Sequence, residues 1–121
     1  MERLFTVAEA NQLIPALREL LERLRAARAA LTDQSQRATR RAASNGSALA
    51  ATAGSSAEDA FNALLGEIEA LGVTVRDAES GLVDFAATRE GEPIYLCWRP
   101  DEAEVSFWHP RDTGFAGRQP L

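Results

Sequence analysis

The chain has few of the residues that build the most recognisable sites. Its 121 residues include one cysteine, one histidine and no lysine. A single Cys97 excludes an internal disulfide, so nothing indicates an oxidising compartment. With His109 as the lone imidazole, and no helical i, i+4 pair of candidate ligands, the signal for zinc is weak. We therefore expect no cofactor and no tightly held transition metal, since any metal site would rest mostly on carboxylates.

Long apolar runs are also absent. No stretch approaches the ~18 apolar residues that span a bilayer, and the N-terminus MERLFTVAEAN lacks the apolar core of a signal peptide. We therefore expect a cytoplasmic protein with no membrane contact. The net charge of −5 argues against nucleic-acid binding. The length and the 45% hydrophobic content are typical of a single globular domain over residues 1–121.

Helical periodicity dominates the first half of the chain. Thr6 and Glu9 form a capping box, and the sequence predicts a first helix over residues 6–43. Apolar residues at heptad spacing predict a buried seam of coiled-coil type, formed by Ala10, Leu13, Leu17, Leu20, Leu24, Ala27 and Leu31 and widened by Ile14 and Leu21. Pro15 predicts a kink or short break near residues 11–14. A second helix is predicted over residues 55–71, ended by Gly72, with residues 44–56 as a flexible connection.

After Gly72 the apolar period changes to that of strands. We predict strands at 73–76, 82–87, 94–99 and 104–109, joined by turns at 77–81, 89–91 and 100–103. The fold class is then α+β: a long, kinked helical hairpin packed on a small antiparallel β-meander of three or four strands, spanning 73–109. Residues 110–121 follow as a C-terminal strap. The helices are expected to cover one face of the meander.

The register of the predicted hairpins assigns residues to the two faces of the sheet. Pairing Thr88 with Pro93 sets Asp84 opposite Cys97, and pairing Arg99 with Glu104 sets Tyr95 opposite Trp108. The core face would then hold Val83, Phe85, Ala87, Ile94, Leu96, Trp98, Val105, Phe107 and His109. The polar face would hold Asp84, Tyr95, Cys97, Arg99, Glu104, Ser106 and Trp108.

Three interpretations of this polar face remain open. In the first interpretation, the face is a platform for a ligand or partner, on which Tyr95 and Trp108 provide flat contact surfaces and Arg99 binds an anion. Alternatively it is a solvated face with a cross-strand Arg99–Glu104 pair. The third interpretation is a dimer interface, because aromatic residues are enriched at interfaces and costly to leave exposed. Since the heptad seam adds more apolar surface, we expect a homodimer.

Two further features, the single histidine and the C-terminal tail, each allow a structural and a functional interpretation. His109, at the end of a predicted core-facing strand, is either a hydrogen-bonded structural residue or a ligand that Glu102, Glu104 and Asp112 would join. In the tail, Gly114, Gly117 and Arg118 either form an anion-binding nest or belong to a strap that closes the sheet edge, with Phe115 tucked into the fold. Cys97 is expected to be an inert, partly covered thiol.

Several segments, in this order, resemble a known family: FTVAEANQLIPALRELL, GLVDFA, LCWR, WH and GFAGRQPL. They resemble the bacterial domain-of-unknown-function family 2203 from end to end, apart from the connection around residues 44–56. Ala86 stands where that family usually has proline. Because the family is uncharacterised, the resemblance implies one compact domain and supplies no catalytic or binding residues.

We therefore expect a non-enzymatic protein-interaction module, whose ligand is an unknown protein partner or a small anion. The alternative is a small-molecule or metal-dependent enzyme with its site at the C-terminal sheet face and tail. Its residues would be drawn from Asp84, Tyr95, Arg99, Glu104, Trp108, His109 and Arg118. The arrangement of these side chains in space distinguishes the enzyme from the interaction module, because an enzyme needs them around one concave pocket.

Overall fold

The N-terminal helix forms as its sequence signals predict. The computed structural model describes the backbone of residues 3–45 and 48–121, and the side chains of residues 3–33 and 57–121. Helix α1 is Val7–Asn45. It starts at the predicted capping box, in which the Thr6 amide donates to Glu9 Oε1 at 2.9 Å and the Glu9 amide donates to Thr6 Oγ1 at 3.1 Å. Two terminal amides are thereby satisfied.

The predicted break at Pro15 is wrong, because α1 runs through this proline without interruption. Pro15 lies on the exposed side of the helix. The lost backbone hydrogen bond therefore does not disturb the opposite, packed side. That side is a stripe of buried residues, Ala10, Ile14, Leu17, Leu21 and Leu24, with Leu13 and Leu20 half-buried beside it.

Helix α2 is Ala48–Ala70, so it begins before the predicted start at residue 55. Gly54, which belongs to the predicted connection, lies inside this helix, because a single helical glycine costs only about 1 kcal/mol. Of the predicted connection over residues 44–56, residues 46 and 47 lie outside the described part of the chain. At the other end, Gly72 has the left-handed φ of 89° predicted for it.

Within the described ranges, the strands form an antiparallel sheet in the order β1-β2-β3-β4-β5. They are β1 Val73–Asp77, β2 Leu82–Arg89, β3 Glu92–Trp98, β4 Phe107–Pro110 and β5 Gln119–Pro120. The fold is therefore α+β as predicted, but the prediction of three or four strands is wrong. The additional strand β5 comes from the C-terminal tail and pairs with β4.

The register of β2 on β3 is confirmed, with Asp84 opposite Cys97 and Thr88 opposite Pro93. The predicted register of β3 on β4 is wrong by one residue, because Tyr95 lies opposite His109 and not opposite Trp108. A shift of one residue moves every side chain of β4 to the other face of the sheet. His109 and Phe107 are therefore on the face that carries Asp84, and Trp108 packs against the core.

The cause of this shift is the loop between β3 and β4. It runs from residue 99 to 106 rather than over the four residues predicted, and it is held by α1. The Val105 amide donates to Asn11 Oδ1 at 2.7 Å, and Arg18 Nη2 donates to the Glu102 carbonyl at 2.7 Å. Val105 is buried in the core. These contacts remove residues 104–106 from the strand.

The core lies between the helices and one face of the sheet. The α1 stripe and Ile68 of α2 pack on sheet residues that include Phe85, Leu96 and Trp98. Phe5 adds an edge-on contact with Phe85, at 5.3 Å between ring centroids. In the described residues, neither α1 nor α2 packs on the opposite face of the sheet, and the short 3-10 helix Gly114–Gly117 lies beside that face. That face is where the polar residues of three strands meet.

Candidate metal centre

Three potential metal ligands from three adjacent strands lie together on this second face. Asp84 of β2, Cys97 of β3 and His109 of β4 each offer one ligand atom, and these atoms all lie within 4.8 Å of one another. The three residues are no more than 2% exposed. Among the described side chains, no other group of three cysteine, histidine or acidic residues meets this description. Buried polar groups need partners, so the surroundings of each residue are informative.

His109 is fixed through both of its ring nitrogens. Nε2 lies 3.1 Å from Asp84 Oδ1, and Nδ1 lies 2.8 Å from the Pro110 carbonyl oxygen. Both partners are acceptors, so without a metal the ring satisfies both contacts when it carries two protons. With a metal at Nε2, the Nδ1–H group would still donate to the carbonyl. That contact is the usual way in which proteins orient a metal-binding histidine.

Asp84 is held from its other side by an arginine. Arg76 Nε donates to Asp84 Oδ2 at 2.8 Å, which leaves Oδ1 directed at His109. The hydrogen bond to Asp84 raises the pKa of Arg76 above its ordinary value. Arg76 reaches this position from a β-bulge, since the pairing of β1 with β2 shifts between Val75 and Asp77. Bulges of this kind redirect a side chain at the edge of a site.

Cys97 has no solvent exposure. Burial, together with the nearby Asp84 carboxylate, raises the pKa of its thiol to about 11. The side chain is therefore a neutral thiol near pH 7 in the metal-free protein, and a metal would have to displace its proton. Cys97 is more deeply buried than the partly covered thiol expected from the sequence. Its burial is compatible with a role as a ligand, because metal binding does not require an exposed thiol.

A cleft of about 420 Å³ opens above this cluster. Asp84, Cys97 and His109 line it together with Arg76, Arg111 and the tail residues 112–115. Tyr95 stands beside the cleft, where its ring lies 4.9 Å from the Arg76 guanidinium carbon and 4.7 Å from that of Arg111. The volume lies in the range of small-molecule sites. The cluster thus has a path to solvent on the side that carries two guanidinium groups.

The structure brings together three of the seven predicted site residues, namely Asp84, Tyr95 and His109. The predicted Arg99–Glu104 pair does not form, because Arg99 Nε lies 3.4 Å from Asp101 Oδ1. Trp108 lies on the core side, with Arg89 over its ring at 4.8 Å. Glu104 is exposed. The predicted pairing of Tyr95 with Trp108 on one flat surface is therefore wrong.

Arg118 does not line the cleft, but it lies next to Cys97, in the tail that runs along β4. Its Nη2 donates to Glu102 Oε1 and, at 3.3 Å, to the Cys97 carbonyl. The guanidinium carbon lies 4.1 Å from the centre of the Phe107 ring. Of the two interpretations of the tail, these contacts favour the strap over the nest. Phe115 is 44% exposed, so the expectation that it is tucked into the fold is wrong.

These contacts give opposite expectations for the two arginines. Arg118→Gln should lower the free energy of unfolding by about 1.5–3 kcal/mol, because it removes hydrogen bonds to a charged partner at a site where its side chain is 12% exposed. Arg99→Gln should cost less than about 1 kcal/mol, since Arg99 and Asp101 are an exposed pair. Urea denaturation of the two variants tests this. Equal losses would contradict the distinction between them.

The sequence interpretation missed Cys97, Arg76 and Arg111 as members of the site. The pairing of Asp84 with Cys97 was available from the confirmed register, but His109 was placed on the other face. The expectation of no transition metal is based on the single histidine and the single cysteine, and the structure places both of them next to Asp84. Nothing in the sequence indicates that Arg76 belongs to the site, because a β-bulge cannot be located from the alternation of apolar and polar residues alone. Glu102, Glu104 and Asp112 do not join the cluster around His109.

The fold and the cluster together define an α+β protein with a helical layer on one sheet face and a buried Asp–Cys–His group on the other. The chain belongs to DUF2203, a family of uncharacterized conserved proteins, whose model matches residues 3–121. The family predicted from the sequence motifs is thereby confirmed. No curated protein and no solved structure matches the chain. In the described residues, no helix is both long and apolar enough to cross a membrane.

Proposed function

We propose that this protein is a zinc-dependent enzyme whose metal is held by Asp84, Cys97 and His109. The convergence of these three buried donors within 4.8 Å carries the proposal. Carboxylate oxygen, thiolate sulfur and imidazole nitrogen are the three donor types that zinc accepts in proteins. Thiolate also favours zinc over magnesium or calcium, which take oxygen ligands.

The number of ligands favours a catalytic centre over a structural one. Structural zinc sites have four protein ligands, whereas catalytic sites have three and leave the fourth position to water or substrate. Here the fourth position would face the cleft between Arg76 and Arg111. Zinc held by these residues would act as a Lewis acid and lower the pKa of a bound water, so that hydroxide would be available near neutral pH.

The present distances are close to what zinc requires. Ligands about 2.0–2.3 Å from a tetrahedral zinc ion are roughly 3.3–3.8 Å apart, so the widest pair here needs to approach by about 1 Å. The Nε2–Oδ1 distance of 3.1 Å needs almost no change. Arg76 on Asp84 and the Pro110 carbonyl on His109 supply the orienting partners that metal ligands commonly have.

The alternative of an interaction module has lost its main support. It depended on Tyr95 and Trp108 forming a flat platform, and these residues lie on different faces of the sheet. The homodimer and the cytoplasmic location stay predictions, as do the lack of nucleic-acid and membrane partners. None of these is needed for the zinc proposal, because every ligand comes from one chain.

Zinc binding is the direct test. Protein stripped with EDTA should take up one Zn²⁺ per chain, with a rise in melting temperature because the metal binds only the folded state. Cobalt in place of zinc should give a thiolate-to-cobalt absorption band. Cys97→Ala and His109→Ala should each weaken zinc binding at least about 100-fold, beyond the 10–100-fold typical of an orienting partner.

Asp112→Asn is the matched control, because Asp112 lines the cleft without belonging to the cluster. This variant should bind zinc like the wild type. Circular dichroism of each metal-free variant separates a lost ligand from a lost fold. Wild-type protein that takes up no zinc, or a folded Cys97→Ala variant that binds as tightly as wild type, would overturn the proposal.

A further inference from the structure

We propose that the cleft above the metal binds a small oxyanion, held by Arg111 and Arg76 beside the fourth coordination position of the zinc ion. The inference rests on the proposed zinc centre and names the class of ligand or substrate that the centre receives. Carboxylates and phosphates share the required chemistry, namely paired oxygens that accept hydrogen bonds from a guanidinium group. The two arginines that the sequence suggests for an anion, Arg99 and Arg118, do not line this cleft.

The charges around the cleft favour an anion. The Asp84 carboxylate and a Cys97 thiolate together offset a divalent metal. The remaining charged groups that line the cleft are Arg76, Arg111 and the exposed Asp112, which leave one net positive charge. In a concave site with low-dielectric walls, such an excess concentrates anions. With the metal bound, this cleft would therefore be positive although the overall charge of the protein is −5.

The positions of the two arginines give the same indication. Both guanidinium carbons lie within 5 Å of the centre of the Tyr95 ring, so two like charges stand around one aromatic side chain. Arg76 is fixed by its Nε contact to Asp84 at 2.8 Å. Arg111 follows Pro110 directly, and its Nε is 3.4 Å from the Ile94 carbonyl oxygen. Because both arginines line the cleft, an oxyanion bound there could accept hydrogen bonds from their planar guanidinium groups.

Anion binding at the metal can be observed separately from zinc binding. Cobalt-loaded protein is titrated with sodium acetate and, in a second series, with inorganic phosphate, both at constant ionic strength. We expect a saturable change in the cobalt visible spectrum with at least one of the two. The comparison of the series distinguishes a carboxylate site from a phosphate site.

Arg111→Gln should weaken this anion binding about tenfold or more, which is the loss expected for a hydrogen bond to a charged partner. Arg111→Lys keeps the positive charge but lacks the planar guanidinium donors. Its affinity for the anion should therefore lie between those of the wild type and Arg111→Gln. Arg89→Gln is the control, because Arg89 also stacks on an aromatic ring, that of Trp108, but does not line the cleft. It should bind anions like the wild type.

The outcomes separate the two proposals. In one outcome, wild-type protein gains the cobalt spectrum but shows no spectral change with about 100 mM of either anion, a concentration that would fill even a weak site. That result would overturn the oxyanion inference and leave the metal centre in place. An anion response that is the same in folded Arg111→Gln and wild type also overturns it. A chain that takes up neither zinc nor cobalt overturns both proposals.

Discussion

Truncating Asp84 to alanine should lower the free energy of unfolding of the metal-free protein by about 2–4 kcal/mol, because two donors lose their acceptor. Asp84 and His109 are 3% and 2% exposed in their side chains, and their closest atoms are 3.1 Å apart. Without the carboxylate, His109 Nε2 would lose its buried acceptor and Arg76 would lose its hydrogen-bond partner. The loss is large because a buried polar group that is left without its partner remains out of water. Urea denaturation in the presence of EDTA measures the loss.

Two further variants make this measurement specific. Asp101→Ala removes an acid that is 68% exposed and only 3.4 Å from Arg99, so it should cost less than about 1 kcal/mol. Asp84→Ala combined with His109→Leu should cost less than the sum of the two single changes, since the second removes the group left without a partner. A loss below 1 kcal/mol for Asp84→Ala, or strict additivity, would contradict a buried pair.

Such a costly pair is expected at a functional site rather than in a structural core. An apolar pair of similar volume would satisfy the packing between β2 and β4 at no electrostatic cost. The chain instead keeps an acid, a thiol and an imidazole there, each of them buried. The zinc proposal gives this cost a reason, because the same three atoms would become ligands.

Local signals were sufficient to predict the start of α1, the end of α2 near Gly72 and the pairing of β2 with β3. The capping box at Thr6 and the left-handed Gly72 depend on neighbours within four residues, and both are present. The hairpin between β2 and β3 is also local, since its turn at residues 89–91 fixes which residues pair. Glu90 and Gly91 both have positive φ values, 53° and 81°, as such a tight turn requires.

The position of His109 could not be obtained in that way. It depends on a loop whose conformation is fixed by α1, more than 80 residues earlier in the chain, through Arg18 and Asn11. The predicted loop of four residues was chemically reasonable, with Pro100 in a favoured turn position. The contacts with α1 select a longer loop, and the pairing of β3 with β4 shifts by one residue as a result. A shift of one residue in the register decides whether His109 faces the core or lies beside Asp84 and Cys97.

The tail shows the same limitation. Residues 119–120 carry no strand signal of their own, since a two-residue strand with proline has little intrinsic β-propensity. Pairing with β4 and the donation from the Leu121 amide to the Ser106 carbonyl at 2.9 Å hold the segment in place. The sequence indicated a strap from its glycines and arginine, but its pairing depends on the β4 edge that it covers.

The second large effect is expected in the core, at the predicted seam of α1. Leu24→Ala should lower the free energy of unfolding by about 2–4 kcal/mol, because Leu24 has no solvent exposure and its truncation leaves a cavity. Leu20→Ala should cost less, since Leu20 is only half-buried beside the stripe. Denaturant unfolding of the two variants tests the difference. A loss below half a kcal/mol for Leu24→Ala would mean that this stripe faces solvent.

The same variants bear on the predicted homodimer. Leu24 is buried by residues of its own chain, so its loss should be independent of protein concentration. A dimer that used the half-buried edge of the helix would instead make the effect of Leu20→Ala depend on concentration, because association and folding are then linked. Sedimentation equilibrium at micromolar concentration, on wild type and Leu20→Ala, measures the association directly. A strictly monomeric wild type would contradict the dimer while leaving the core assignment of Leu24 unchanged.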